Sequence, residues 1–147
     1  MLNVREGDLF ESGCEALVNP VNTKGVMGAG LAHQFRKRFP AMFTEYNGKC
    51  RAGELSIGQV HCWCSPDGQW VINFPTKDHY RQPSKVEYIE QGLVALGEAI
   101  KQHQIKSIAV PALGCGLGGL KFGTVLALLR GFHHKLDGVE MVVFPPS

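Results

Sequence analysis

The densest chemical signal in this 147-residue chain is Gly114-Cys115-Gly116-Leu117-Gly118-Gly119, four glycines in six residues. An apolar run, Ser107 to Val110, precedes it and a helical pattern follows. Glycines at a strand-to-helix junction let backbone amides approach a ligand and take positive φ, and amides at a helix start point at anions. A tight turn needs one glycine; four predict a phosphate site. The stretch also spells G-x-G-x-x-G, but a nicotinamide fingerprint opens the first βαβ unit and is followed by an acid ending the next strand. Here it lies near the C-terminus and the next strand ends in Phe144-Pro145, with Glu140 near that strand's beginning. No G-K-[ST] follows, so it is not a Walker A loop either.

A second constellation is Asn19-Pro20-Val21-Asn22 followed by Gly25-Val26-Met27-Gly28-Ala29-Gly30. Carboxamides donate and accept, which suits the vicinal hydroxyls of a sugar. Two turn-forming asparagines are the plainer alternative. Two glycine loops at strand-to-helix junctions suggest a diphosphate sugar lying across the strand ends, where ligands of open α/β sheets bind. The third constellation is Asn73-Phe74-Pro75-Thr76-Lys77-Asp78-His79-Tyr80-Arg81. A strand delivers Lys77 to its end, where a lysine stabilises a phosphate or, with a depressed pKa, acts as a nucleophile. On this segment alone, a solvated loop lysine is the simpler reading. Tyr80, between His79 and Arg81, has the surroundings of a base-stacking residue. His61-Cys62-Trp63-Cys64 lacks zinc-type spacing, so buried thiols are expected and no metal site. Arg36-Lys37-Arg38 reads as a solvated helix face that is also suited to a nucleic-acid backbone.

These residues need elements to position them. At this length one domain, residues 1–147, is expected, large enough to bury a core without staples. Apolar residues make up 44% and charged residues 19%, an ordinary globular balance that excludes disorder. Fifteen basic and thirteen acidic residues permit an anionic partner without requiring one. No apolar run is long enough to span a membrane, and the N-terminus lacks a signal-peptide stretch, so a cytoplasmic protein is expected. Five cysteines without an export signal predict free thiols. Strands are expected at Leu2–Val4, Glu15–Asn19 (stopped by Pro20), Val60–Cys64, Trp70–Phe74, Ser107–Val110 and Val139–Phe144. Helices are expected from Leu31 to Arg38, from Pro40, from a Ser84–Glu87 capping box, and around Phe122 to Leu136. A loop is read over Pro75 to Lys85. Long helices between strands favour a mixed, largely parallel sheet with helices on both faces.

Gly7-Asp8-Leu9, Ala16 to Asn22, the Gly28–Gly30 loop and the Gly114–Gly119 loop occur together in the order found in macrodomains, the ADP-ribose-binding modules, and the chain resembles that family over nearly its whole length. The resemblance implies a three-layer α/β/α sandwich with a mixed six- or seven-stranded sheet. It implies that Asp8, beside Leu9, contacts the adenine amine and that Phe144 stacks on the adenine ring. Asn22 and Gly28, Ala29 and Gly30 would hold the distal ribose, with Asn19 and Thr76 in the binding set. Gly114, Cys115, Gly116, Leu117, Gly118 and Gly119 would hold the diphosphate. Val26 to Ala32 and Asn73 to Lys77 resemble the DarG-type macrodomains, antitoxins that remove ADP-ribose from thymidine in DNA, and Lys77 matches their catalytic lysine. Terminal ADP-ribose glycohydrolases add a catalytic Asp where this chain has Gly118.

The resemblance therefore implies a hydrolase that cleaves ADP-ribose from thymidine in single-stranded DNA and reverses a DarT-type toxin. It implies no cofactor, a DarT-type toxin as partner, no membrane, and a monomer. Lys77 attacks the anomeric carbon or polarises the leaving base; both stay open, and no glycosidase-type carboxylate pair is evident. Two rival readings are a binding module that turns nothing over and a hydrolase of ADP-ribosylated protein side chains. DarG proteins usually continue into a toxin-binding region. This chain stops after its last strand, so a lone catalytic domain or a stand-alone relative is expected.

Overall fold

Six strands form one sheet: β1 (Leu2–Val4), β2 (Ala16–Asn22), β3 (His61–Cys64), β4 (Trp70–Lys77), β5 (Ser107–Val110) and β6 (Glu140–Val143). Their order is β1-β6-β5-β2-β4-β3. Every neighbouring pair is parallel except β3 on β4, which is antiparallel across the Pro66-Asp67-Gly68 turn. This computed structural model describes residues 1–146.

Alternate residues of a strand face opposite sides, so each central strand feeds two cores. Leu17, Val71 and Ala109 pack with Phe35, Met42 and Tyr46 from α1 (Gly30–Arg38) and α2 (Pro40–Arg51). Val18, Ile72 and Phe74 pack with Ile89, Leu96 and Leu129 from α3 (Val86–Gln102) and α4 (Phe122–His134). Helices thus cover both faces of a mixed six-stranded sheet, the three-layer arrangement expected. Gly92 lets α3 lie flush on the ring of Phe74, because a Cβ there would overlap that ring. This seats α3 on the strand that ends in Lys77.

Both strands at the site run further than read from the sequence. β2 passes through Pro20 to Asn22, and β4 passes through Pro75 to Lys77. Proline is tolerated where a strand edge is free, since no ladder donor is lost. β5 pairs only with Ala16 and Leu17, and β3 pairs β4 no further than Asn73, so each proline lies beyond one of its neighbours. The two strands continue together, with a register shift between Val21 and Asn22 that sets Asn22 opposite Lys77. Smaller differences are Glu15, Val60, Val139 and Phe144, which lie just outside their strands.

The Ser84 capping box does not form. α3 starts after Lys85, without a side-chain cap bond, and the Ser84 hydroxyl is buried elsewhere. All five cysteines are free. Among the described residues no helix is long and apolar enough to cross a membrane.

Candidate functional site

A cavity of about 750 Å³ opens at the C-terminal ends of β2 and β4 and beyond β5. Of the residues singled out in the sequence, Asn22, Gly28, Ala29, Gly30, Thr76 and Lys77 line one part of it. Gly114, Cys115, Gly116, Leu117 and Gly118 line another. A larger hollow, about 870 Å³, lies between α3 and α4 around Gly97 and Phe132, but neither glycine loop reaches it.

The β2 loop is built on Asn22. Its Oδ1 accepts from the Lys24 amide at 2.9 Å, and its Nδ2 donates to the Val26 carbonyl at 2.8 Å. The Tyr46 hydroxyl donates to the Asn22 carbonyl at 2.7 Å. Burial raises the Tyr46 pKa well above its ordinary value, which keeps this donor protonated. Asn22 lines the cavity, but its carboxamide is spent on holding the loop.

Asn19 does not line the cavity. It is fully buried, its Nδ2 donating to Asn73 Oδ1 at 2.9 Å and lying 3.7 Å from Met27 Sδ. Asn19 therefore supports the loop from below, where its backbone strand is covered by α1 and α2. Asn73 continues the chain to His61 Nδ1 at 3.0 Å, and His61 Nε2 lies 3.1 Å from Glu45. Cys62 faces the other layer, where burial pushes its thiol up to about 11. The His61–Cys64 segment is thus divided between the two faces of the sheet.

The Gly114–Gly119 loop is a tight 3₁₀ turn over Gly116–Gly118, closed by Gly119 at φ +85°. Gly119 directs the chain away toward α4 and does not line the cavity. Gly118 is required by close approach: a Cβ there would sit 2.5 Å from Ser84 Oγ and 3.1 Å from Ser84 Cβ. The Ser84 amide donates to the Gly118 carbonyl at 2.9 Å. Ser84 also touches the space beside Gly114, so it is wedged under the whole loop.

Ser84 is the main residue that the sequence reading misplaced, because its spacing to Glu87 matches a helix cap. Its Oγ is buried and has no hydrogen-bond partner among the described residues, yet the residue lines the cavity. An unpaired buried hydroxyl costs stability. Ser84→Ala is therefore expected to stabilise the free protein by about 1 kcal/mol, read as a higher melting temperature. An unchanged or lower melting temperature would mean that the hydroxyl is satisfied in solution.

Lys77 ends β4 half-buried, its Nζ donating to the Tyr80 carbonyl at 3.4 Å. Among the described residues no carboxylate pairs with it. Its Cε comes within 3.8 Å of where a Gly118 Cβ would stand. The lysine thus bridges toward the glycine loop, with the end of β2 beside it in the sheet. A cation here is placed to face an anion at the loop amides.

The residues expected at an adenine lie outside the lining of this cavity. Leu9 and Phe144 share one apolar cluster and are 4% and 6% exposed. Asp8 is exposed; its Oδ1 accepts from the Phe10 amide at 2.9 Å, and its Oδ2 lies 4.0 Å from Arg38. None of the three lines the cavity, because Leu9 and Phe144 pack inward and Asp8 caps the Leu9–Glu11 turn. Pro146, which no motif flagged, does line it. Arg36 and Arg38 lie over Phe43 and Phe10 at 4.0 and 4.1 Å, a packing use for the basic helix face.

A family model described as Macro domain matches residues 18–129. The chain is 45% identical over 150 residues to a Mycobacterium tuberculosis protein named DNA ADP-ribosyl glycohydrolase, covering all of this chain and 43% of that protein. The chain thus spans less than half the length of the curated DNA ADP-ribosyl glycohydrolases it matches. Among solved structures, the macrodomain of Mycobacterium tuberculosis DarG superposes with a TM-score of 0.97 at 45% identity, covering 100% of this chain and 99% of that one. Thermosipho africanus DarTG in complex with ADP-ribose gives 0.91 at 36% identity, covering 99% of this chain and 41% of that one.

Proposed function

The chain belongs to the macrodomain family, and on that premise we propose that its cavity binds ADP-ribose and hydrolyses the bond joining it to thymine in single-stranded DNA. The observation that carries the proposal is the position of Lys77. β4 delivers it to a cavity lined by two glycine loops, without a carboxylate partner among the described residues. Relatives 42–45% identical are named DNA ADP-ribosyl glycohydrolases, and the Thermosipho africanus structure holds ADP-ribose. The same relatives support a DarT-type toxin as the source of the adduct. We extend the proposal to residues 1–147 acting as one macrodomain and as a monomer.

The chemistry breaks the bond between the anomeric carbon and the base. The Gly114–Gly118 amides hold the diphosphate, and this fixes where the anomeric carbon lies. Lys77 then works at that carbon in one of two ways. It is a neutral amine that displaces the base and whose adduct water then hydrolyses, or it is the cation facing the departing base while water attacks. In both, the thymine leaves as its anion and takes up a proton. A hydrolase of protein adducts fits less well. The Asp of the terminal glycohydrolases is replaced by Gly118, and Ser84 occupies the space a side chain there would need. The deciding experiment incubates the protein side by side with an oligonucleotide ADP-ribosylated on thymidine and with a glutamate-modified protein. Cleavage of the second alone overturns the proposal. Cleavage of neither leaves a binding module.

ADP-ribose is expected to raise the melting temperature by several degrees, since a ligand at a hundred times its Kd adds about 2.7 kcal/mol to the folded state. AMP, lacking the second phosphate and distal ribose, is expected to bind more weakly. Equal affinities by calorimetry would remove the Gly28–Gly30 loop from the site.

A further inference from the structure

The segment following Lys77 has a construction that hydrolysis at the anomeric carbon does not use. Thr23 fixes its start: the hydroxyl donates to the Asp78 carbonyl at 2.6 Å and to Asp78 Oδ1 at 2.8 Å. The Arg81 amide then donates to His79 Nδ1 at 3.1 Å, which orients the imidazole ring. The His79 and Tyr80 rings are stacked, with centroids 4.2 Å apart and 28° between their planes. Tyr80 is 43% exposed although it lines the cavity. An exposed tyrosine held by a stacked neighbour is a preformed surface for another flat ring.

The charge around it is one-sided. Residues 77 to 85 contain Lys77, Arg81 and Lys85 against one acid, Asp78, and that acid accepts from Thr23. Arg81 and Lys85 are exposed. The Arg81 guanidinium lies 5.7 Å from the Tyr80 ring, at the edge of cation–π range, so this contact is readily exchanged. Aromatic rings interleaved with cations beside a cavity match a strand of alternating bases and phosphates, because every base has a stackable face.

We propose that the His79–Tyr80 stack is a subsite for the nucleobase next to the modified thymidine, with Arg81 and Lys85 holding the adjoining phosphates. This rests on the DNA reading of the cavity and specifies how the strand beyond the adduct is held. The occupant is one unmodified nucleotide of single-stranded DNA. On this proposal the stack serves the neighbouring nucleotide, and free ADP-ribose and a lone ADP-ribosylated nucleoside leave it unused. The subsite therefore sets a preference for a strand over a nucleoside.

The test compares kcat/KM on an ADP-ribosylated oligonucleotide with that on ADP-ribosylated thymidine nucleoside, and takes the ratio. Tyr80→Ala is expected to lower this ratio on the order of tenfold, as loss of one base stack does. Tyr80→Phe is expected to keep it. Tyr80→Leu retains bulk without a π face; it is expected to lose the preference and guards against a folding defect in the alanine variant. Arg81→Gln is expected to weaken the salt dependence of oligonucleotide binding by about one phosphate contact. An unchanged ratio in both Tyr80→Ala and Tyr80→Leu overturns the subsite while leaving the hydrolase standing. If the parent protein cleaves neither DNA adduct, the hydrolase reading falls. The subsite is then judged by binding: Tyr80→Ala must weaken the modified oligonucleotide more than ADP-ribose. Equal weakening of an ADP-ribosylated peptide also overturns it.

Discussion

Gly118→Glu is expected to abolish ADP-ribose binding, seen as loss of both the calorimetric signal and the ligand-induced rise in melting temperature. Two effects add. A Cβ at residue 118 would stand 2.5 Å from Ser84 Oγ and 3.1 Å from Ser84 Cβ. Ser84 is 6% exposed, and its own amide is bonded to the Gly118 carbonyl, so it has little room to retreat. The loop must shift, and overpacking of this kind costs about 1–3 kcal/mol. The carboxylate then lies beside the loop amides and near Lys77, where it takes the place of the diphosphate and repels it. Gly118→Ala isolates the steric part. It is expected to lower the melting temperature, and pairing it with Ser84→Gly is expected to recover most of the loss. Gly116→Glu is the complementary case. Among the described residues no atom outside its chain neighbours lies within 4 Å of its Cβ position, but its φ of +67° makes any side chain strained by about 1–2 kcal/mol. It too is expected to lose ADP-ribose, chiefly by charge. A folded Gly118→Glu protein that still binds ADP-ribose would show that this loop is not the diphosphate site.

The parts of the site visible in the sequence were those where a residue type answers a backbone demand. The cluster at Gly114–Gly119 stands out because several positions require glycine for different reasons: positive φ at Gly114, Gly116 and Gly119, and close approach at Gly118. The apolar stripe of α3 and the strand before each loop were legible for the same reason, since period and burial agree. What stayed hidden depends on tertiary neighbours. Pro20 and Pro75 read as strand ends because local rules cannot show that β5 and β3 have already left those edges. Ser84 read as a cap because its spacing to Glu87 is right, whereas its hydroxyl is under a loop more than thirty residues further along the chain. Asn19 and Asn22 look alike in sequence. Regular alternation would put them on opposite faces, but a register shift falls between Val21 and Asn22; one bonds Asn73 in the core and the other ties the Lys24–Val26 turn. Asp8, Leu9 and Phe144 rest on family resemblance alone; Leu9 and Phe144 are buried in one apolar cluster, Asp8 is exposed, and all three lie outside the lining of the cavity.

Lys77→Ala is expected to cut hydrolysis of the thymidine adduct by on the order of a hundredfold or more, about 3 kcal/mol of barrier. Little else should change. The side chain is half-buried and its one hydrogen bond among the described residues, to the Tyr80 carbonyl, is 3.4 Å long, so the melting temperature is expected to stay within a few degrees. ADP-ribose affinity is expected to fall only modestly, because the proposal gives most of the diphosphate contact to backbone amides of the Gly114–Gly118 loop. The split between an intact Kd and a lost rate is what separates an enzyme from a binding module. Both share the glycine loops, and only the enzyme needs the amine. Lys77→Arg then distinguishes the two chemical roles. Arginine keeps the charge but does not deprotonate to attack carbon. Activity retained in the arginine variant means that the lysine stabilises the departing base as a cation. Activity lost in both variants favours attack by the amine, and a covalent adduct trapped by borohydride on the parent protein, absent from Lys77→Arg, would establish it. Turnover at the parent rate by Lys77→Ala would remove the lysine from the mechanism, and with it the observation on which the hydrolase reading stands.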